Sequence, residues 1–337
     1  MDTTSTIHTD VDFDRDGKQI SFLNLPFSPH TDAWGVIPIP IAVIKNGVGP
    51  TVLMTGGVHG DEYEGPITLG NLIRDTKSSQ IRGRLIILPA TNLSAVVAGR
   101  RVSTADDKNL NRCFPGNPLG TPTSQIAHYI DSVLFPMADL FMDLHSGGSS
   151  LDLIPGVIMQ TPSDESLREK IREAVLAFDA PLTVVMNSVP WSGTSMSAAL
   201  QHELVALGTE LGSAGAVSRQ GLEICQNGVR NVLQHTGVFN KLSTSDMKPG
   251  QTRFMRVSGP ESYVYAPANG IYEAFDELGA EVEMGDIAGC IHFLDDPGRA
   301  PIITKYNQSG MLWCRRAPGL AIRGNCVGVV VTDCSDM

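Results

Sequence analysis

The sequence predicts an α/β fold, a mixed sheet with helices on its faces, followed by a smaller all-β domain. Between residues 51 and 211, short β-branched or aliphatic runs alternate with segments whose apolar residues recur at helical spacing. After about Gly250 the helical period is lost, and brief β-like stretches are separated by Gly, Pro and Asp turns. Size agrees: 337 residues is long for one compact domain, so a larger domain over 1–249 and a smaller one over 250–337 is the expected division.

Taken in order, the chain opens with polar residues. Residues 34–44 are β-branched and punctuated by Pro, Lys45-Asn46-Gly47 reads as a turn, and the apolar run 51–55 follows; together they predict an N-terminal β-hairpin extension entering a buried strand. The glycine-rich loop GGVHGDE occupies 56–62, and residues 63–74 then place Ile67, Leu69, Leu72 and Ile73 at helical spacing. Buried strands are predicted at 84–89 and at 139–144, the second ending directly at His145, with a helix at 124–134 between them. A helix at 165–178, a strand at 182–186 and a short strand at 206–211 continue the alternation. In the C-terminal part, β-like stretches fall at 263–265, 270–274, 302–304 and 327–332.

Composition narrows the function classes. Apolar residues make up 42% and charged residues 18%, which suits a folded globular chain. Lys and Arg total 25 against 36 Asp and Glu, so the net charge of −11 repels a polyanion and argues against nucleic acid as a partner. The first residues lack a signal peptide's basic and apolar regions, and no run approaches the roughly 20 apolar residues of a membrane span. The expectation is a cytoplasmic protein with no membrane partner. Six scattered cysteines with no CxxC pair are expected to be reduced and mostly buried.

In open α/β sheets, functional groups gather at the carboxyl ends of strands, and His59 and His145 both closely follow predicted strands. His59 and Glu62 stand three apart at a loop-to-helix junction, so both can face one metal ion. Two imidazoles and a carboxylate with a fourth position open form the ligand set of a hydrolytic zinc, and the set also suits iron or cobalt. Asp143 is a candidate second partner for a metal-bound imidazole, provided the strand continues through both residues. His235 is a further candidate for lining the pocket.

Four blocks in this order, GGVHGDE at 56–62, NLNRCFPG at 109–116, DLHSGG at 143–148 and TELG at 209–212, resemble the succinylglutamate desuccinylase/aspartoacylase family, relatives of the zinc carboxypeptidases. Within it, the sequence looks closest to the N-acetyl-diaminobutyrate deacetylases. The resemblance implies a zinc-carboxypeptidase-like sheet, and the β-rich tail resembles the C-terminal domain of the family's longer members. It implies one Zn2+ per chain held by His59, Glu62 and His145, and attack on an amide carbonyl by water with Glu210 as general base. It places Asn111 and Arg112 on the pair that binds the substrate carboxylate, and Arg101, or the adjacent Arg100 in its stead, on the arginine that polarises the carbonyl and steadies the oxyanion, the insertion-like Ala105-Asp106-Asp107-Lys108 blurring which of the two it is. The implied partner is a small N-acylated amino acid, with acetyl the group removed. Assembly as a homo-oligomer is also implied, with no interface identifiable from the residues.

Three rival readings exist. Gly193-Thr194-Ser195-Met196-Ser197 is similar to a serine nucleophile elbow but lacks the final glycine and the preceding strand. A zinc carboxypeptidase acting on peptides fits the ligands but not the β-rich tail, which in the deacylases narrows the entrance. A binding protein without activity would have no need of Glu210.

Overall fold

The computed structural model describes residues 5–187, 193–212, 214–239 and 252–334. β1 (Gly17–Pro26) and β2 (Val36–Asn46) form an antiparallel pair. β3 (Thr51–Gly56), α1 (Glu64–Asp75), β4 (Gly83–Leu88), α2 (Leu93–Ala98), α3 (Pro122–Tyr129) and β5 (Leu140–His145) follow. Next come β6 (Leu151–Leu153), β7 (Gly156–Met159), α4 (Glu165–Phe178), β8 (Leu182–Val185), α5 (Ser195–Gln201), β9 (Val205–Glu210) and α6 (Arg219–His235).

β3 lies between β4 and β5, parallel to both, and β5 runs parallel to β9. Every residue of β3 and β5 is buried, as strands covered on both faces require. On one face, α1, α4 and α6 pack Leu69, Ile171, Phe178, Val229 and Val232 against Met54 and Met142. On the other, Ile126 of α3 and Ala198 and Ala199 of α5 pack with Leu53 and Phe141. The alternation of neighbouring residues in β3 and β5 between these two cores follows from the period of two in a strand.

The expected pairing at the N-terminus differs. The turn at Lys45-Asn46-Gly47 does lead from β2 to β3, but β4 lies between them, and β2 instead pairs antiparallel with β1 and with β4. A turn signal fixes where the chain reverses, and long-range pairing decides the neighbour.

The boundary expected at 249/250 lies outside the described residues. Beyond it come β10 (Arg253–Arg256), β11 (Tyr263–Tyr265), β12 (Gly270–Ala274), β13 (Glu281–Val282), β14 (Ile287–His292), β15 (Ile302–Lys305), β16 (Gly310–Arg316), β17 (Leu320–Ala321) and β18 (Cys326–Asp333). β10 adds in parallel to β8 and antiparallel to β18, and β16 then pairs with both β18 and β6, so the large sheet runs on into the C-terminal region. A separate antiparallel sheet has the order β15-β14-β12-β17. Its inner face packs Tyr272, Ala288 and Ile291 into a core with Val264, Leu312 and Val330.

Candidate active site

Three chain segments converge at the carboxyl ends of β3, β5 and β9. His145 is the last residue of β5 and stands opposite Glu210, the last of β9. His59 and Glu62 lie in the loop from β3 to α1. That loop presses against α2 at Gly60, where a Cβ would lie 2.0 Å from the Ala95 carbonyl, so only glycine permits the approach. Glu64, at the start of α1, is fully buried and accepts hydrogen bonds from Ser146 Oγ and Ser218 N, both 2.6 Å, tying the loop to the segments after β5 and before α6.

His59, Glu62 and His145 are all buried, and one donor atom from each lies within 4.8 Å of the others. Nδ1 of His59 is 2.7 Å from Oε1 of Glu62, and Nδ1 of His145 is 2.8 Å from Oε2. The opposite ring nitrogens have their own acceptors: Nε2 of His59 is 3.0 Å from Asn109 Oδ1, and Nε2 of His145 is 2.9 Å from Asp143 Oδ2. An outer acceptor fixes the proton on Nε2 and turns the Nδ1 lone pair inward, the orientation in which an imidazole binds a cation. Two imidazole nitrogens and a carboxylate therefore form a donor set that fits a divalent metal ion.

Electrostatics in the cluster follow from burial against close partners. Burial alone raises the Glu62 pKa, but the two imidazoles outweigh it, and the net shift is downward. Burial lowers His59, reinforced by Arg101 and opposed by Glu62. His145 is raised, because Asp143 and Glu62 overcome its burial. Glu210 is pushed up to about 8 by burial and then by the negative charge of Glu62. Its Oε2 is buried with no hydrogen-bond partner among the described residues.

Arg101 reaches the cluster, with Nη1 3.5 Å from Glu62 Oε1 and 3.4 Å from His59 Nδ1. Arg100 turns the other way and pairs with exposed Asp107 at 3.0 Å, while its carbonyl accepts from Gly60 N at 2.8 Å. Asn111 Nδ2 is 3.3 Å from His145 Nε2. Arg112 donates to the Asn111 carbonyl at 2.5 Å, and burial, with neighbouring Arg101, lowers it to about 10. The sequence-predicted His59, Glu62, His145, Glu210, Arg101, Asn111 and Arg112 are thus brought into one neighbourhood.

His235 is not part of it. It ends α6 and lines a surface hollow with Pro50, Asp139 and Lys170, by the start of β3 and the residue before β5. The strand ends that carry His145 and Glu210 point the opposite way.

The structure decides the candidate Asp143 and adds Thr55 and Asn109, which the sequence did not single out. β5 does continue through His145, so Asp143 shares its face and supplies the second partner. Asp143 in turn accepts from Thr55 Oγ1 at 2.7 Å and from Ser195 Oγ. Ser195 N donates to Asn111 Oδ1 at 2.8 Å. The segment similar to a nucleophile elbow therefore starts α5, with Thr194 as its cap, and holds Asp143 and Asn111 in place. Asn109 could have been found in the sequence, since it opens the NLNR block. The insertion-like segment also has a place: Asp106 accepts from Thr123 N at 2.8 Å and Thr123 Oγ1 at 2.6 Å, tying the Arg101 loop to the start of α3.

Comparison with known proteins shows the family. The succinylglutamate desuccinylase/aspartoacylase catalytic domain matches residues 48–236. The chain belongs to this family. It is accordingly an amide-hydrolysing enzyme. N-alpha-acetyl-L-2,4-diaminobutyric acid deacetylase of Halomonas elongata is 36% identical over 327 residues, covering 97% of this chain and 95% of that one. The product-bound ectoine utilization protein EutE (DoeB) of Ruegeria pomeroyi superposes with a TM-score of 0.93 at 39% identity, covering 98% of this chain and 99% of that one. A succinylglutamate desuccinylase/aspartoacylase of Rhodobacter sphaeroides gives 0.91 at 42% identity, covering 98% and 100%. Among the described residues, no helix is long and apolar enough to cross a membrane.

Proposed function

We propose that this chain is a zinc-dependent deacetylase of a small N-acetylated amino acid of the diaminobutyrate type, working in the cytoplasm. The observation that carries the reading is the inward convergence of His59 Nδ1, His145 Nδ1 and the Glu62 carboxylate, each imidazole held from behind, beside a buried and unpartnered Glu210 oxygen. The kinship to a diaminobutyric acid deacetylase over nearly the whole chain supports the substrate class.

His59, Glu62 and His145 would hold the ion, which when bound supplies a Lewis acid and lowers the pKa of water toward neutrality. Glu210 accepts a proton from the attacking water and returns it to the departing amine. Burial raises its pKa above the ordinary carboxylate range, the direction that suits a group which must both take and return a proton. Arg101 puts a guanidinium beside the cluster, where an oxyanion develops. Arg112 and Asn111 take the substrate carboxylate, a planar anion suited to a guanidinium fork.

The small-substrate reading is favoured over a peptidase by the position of the C-terminal strands. β6 follows His145 by a few residues and pairs with β16, Arg315 Nη2 reaches Asp152 at 3.2 Å, and Trp313 Nε1 donates to the Ile154 carbonyl at 3.0 Å. A serine mechanism is disfavoured because the Ser195 hydroxyl is committed to Asp143 and not to a histidine base.

The test is zinc content together with amine release from N-acetyl, N-succinyl and N-formyl amino acids, N-acetyl-diaminobutyrate included, in wild type and Glu210→Gln. At least one equivalent of zinc per chain in both, with acetyl hydrolysis in wild type alone, is expected. A metal-free protein or a fully active Glu210→Gln overturns the mechanism, and preference for succinyl substrates overturns the acyl assignment.

A further inference from the structure

The four-stranded C-terminal sheet has two faces of different character. Tyr272, Ala288 and Ile291 fill the core below it. The alternation of a strand then sends Glu273 of β12 and Cys290 and His292 of β14 to the other face, and Glu273 stands directly opposite Cys290 in the antiparallel register. Three metal-ligating side chains of different type are thereby placed together by backbone geometry alone.

Their donor atoms converge. His292 Nε2 lies 2.7 Å from Glu273 Oε2 and 3.2 Å from Cys290 Sγ, and the thiol lies 3.7 Å from the same carboxylate oxygen. All three atoms are within 4.8 Å of one another. Both other groups meet the same ring nitrogen, so the trio is not a relay in which a base uses one nitrogen for the nucleophile and the other for an orienting acid. With no ion bound, the Glu273 carboxylate can accept from both the imidazole Nε2–H and the thiol. When the thiol releases its proton to solvent and the neutral imidazole carries its own on Nδ1, a nitrogen, a sulfur and an oxygen present lone pairs to one point.

We propose that Glu273, Cys290 and His292 form a second, accessory site for a borderline divalent cation of the Zn2+ class. Thiolate, imidazole and carboxylate are the three zinc donors, and thiolate disfavours the hard cations Mg2+ and Ca2+. The site is open to entry, since the His292 and Glu273 side chains are 38% and 56% exposed, which leaves the fourth position to water. The buried Cys290 supplies the floor, and the flanking Ile271 and Ile303, opposite His292 and Cys290 in the neighbouring strands, make the surroundings apolar. Rigid strands fix all three ligands, so binding needs little reorganisation.

Cobalt separates this site from the hydrolytic one, because His59, Glu62 and His145 offer no sulfur. Full-length enzyme titrated with Co2+ should develop a near-ultraviolet sulfur-to-cobalt charge-transfer band, and titration with Zn2+ should quench it. Cys290→Ser should abolish the band and remove one equivalent of bound metal while leaving amide hydrolysis at the wild-type rate. His292→Ala should weaken Co2+ binding by at least about tenfold, the loss seen even when a ligand's outer partner is removed. No band in the wild type at saturating Co2+, or a band unchanged in Cys290→Ser, overturns the proposal.

Discussion

The two ligand clusters of this protein are built in opposite ways. His59, Glu62 and His145 are drawn from two segments more than eighty residues apart, are at most 7% exposed, and rest on outer partners in Asn109 and Asp143. Glu273, Cys290 and His292 come from two adjacent strands of one small sheet, are partly open to water and satisfy one another. The first is preorganised by a surrounding network; the second is organised by strand register. The difference teaches where sensitivity should lie: in the buried cluster, substitutions one shell away should matter, whereas on the sheet only the ligands themselves should.

The largest test of that contrast is Glu62→Gln. Removing the one carboxylate that faces both imidazoles should strip the metal from the buried cluster and reduce hydrolysis to background, as measured by elemental analysis and amine release. Glu210→Gln should come next, with kcat lower by about 10²–10⁴ and metal content unchanged, the usual contribution of a positioned general acid–base group. Metal loss in this variant would break the separation of base from ligands.

Asp143→Asn sharpens the role of the network, because it changes no ligand. It should cost about 10–100-fold in metal affinity or activity, read by competition with a chelator and by kcat/KM. A variant with wild-type affinity and rate would show that His145 needs no help from behind. Arg112→Lys should raise KM by about tenfold or more with little change in kcat, since a bidentate contact to the substrate carboxylate is lost while the charge is kept.

The smallest effect concerns the loop that carries Arg101. Asp106 ties it to α3, and although burial raises its pKa, the hydrogen bonds from Thr123 outweigh this and lower it below the ordinary carboxyl value. A depressed carboxyl stabilises the fold above its unfolded pKa and loses that contribution as pH falls through the folded value. Asp106→Asn keeps an acceptor and loses only the charge, so it should cost about 0.5 kcal/mol at pH 7, part of the surplus of a charged over a neutral hydrogen bond at a half-exposed site, and progressively less in strong acid. Thermal melts across pH check this, and an equal cost in strong acid would assign the effect to shape and not to charge.

Most of the metal cluster was legible in the sequence because its signals are local. HxxE spacing in the loop just before α1, and the runs that became β3, β5 and β9, depend on residues within a few positions, and the predicted helix 165–178 matches α4. Helix α6 was not legible: Gly221, Gly228 and many polar residues conceal a face that buries Cys225, Val229, Val232 and Leu233. β1 was hidden by exposed residues on its outer side.

By itself the sequence determined which groups could bind metal and which residues could bring them to strand ends, since side-chain chemistry and periodicity are properties of short stretches. Only the tertiary structure decided what stands behind them. Ser195 and Thr55 reach Asp143 across 52 and 88 residues, and Asp143 reaches His145 because β5 continues one residue further than its apolar pattern required. Likewise, β4 and not β2 became the neighbour of β3. Such contacts are set by the pairing and packing of distant segments, where the burial of apolar faces on both sides of the sheet outweighs local turn preference.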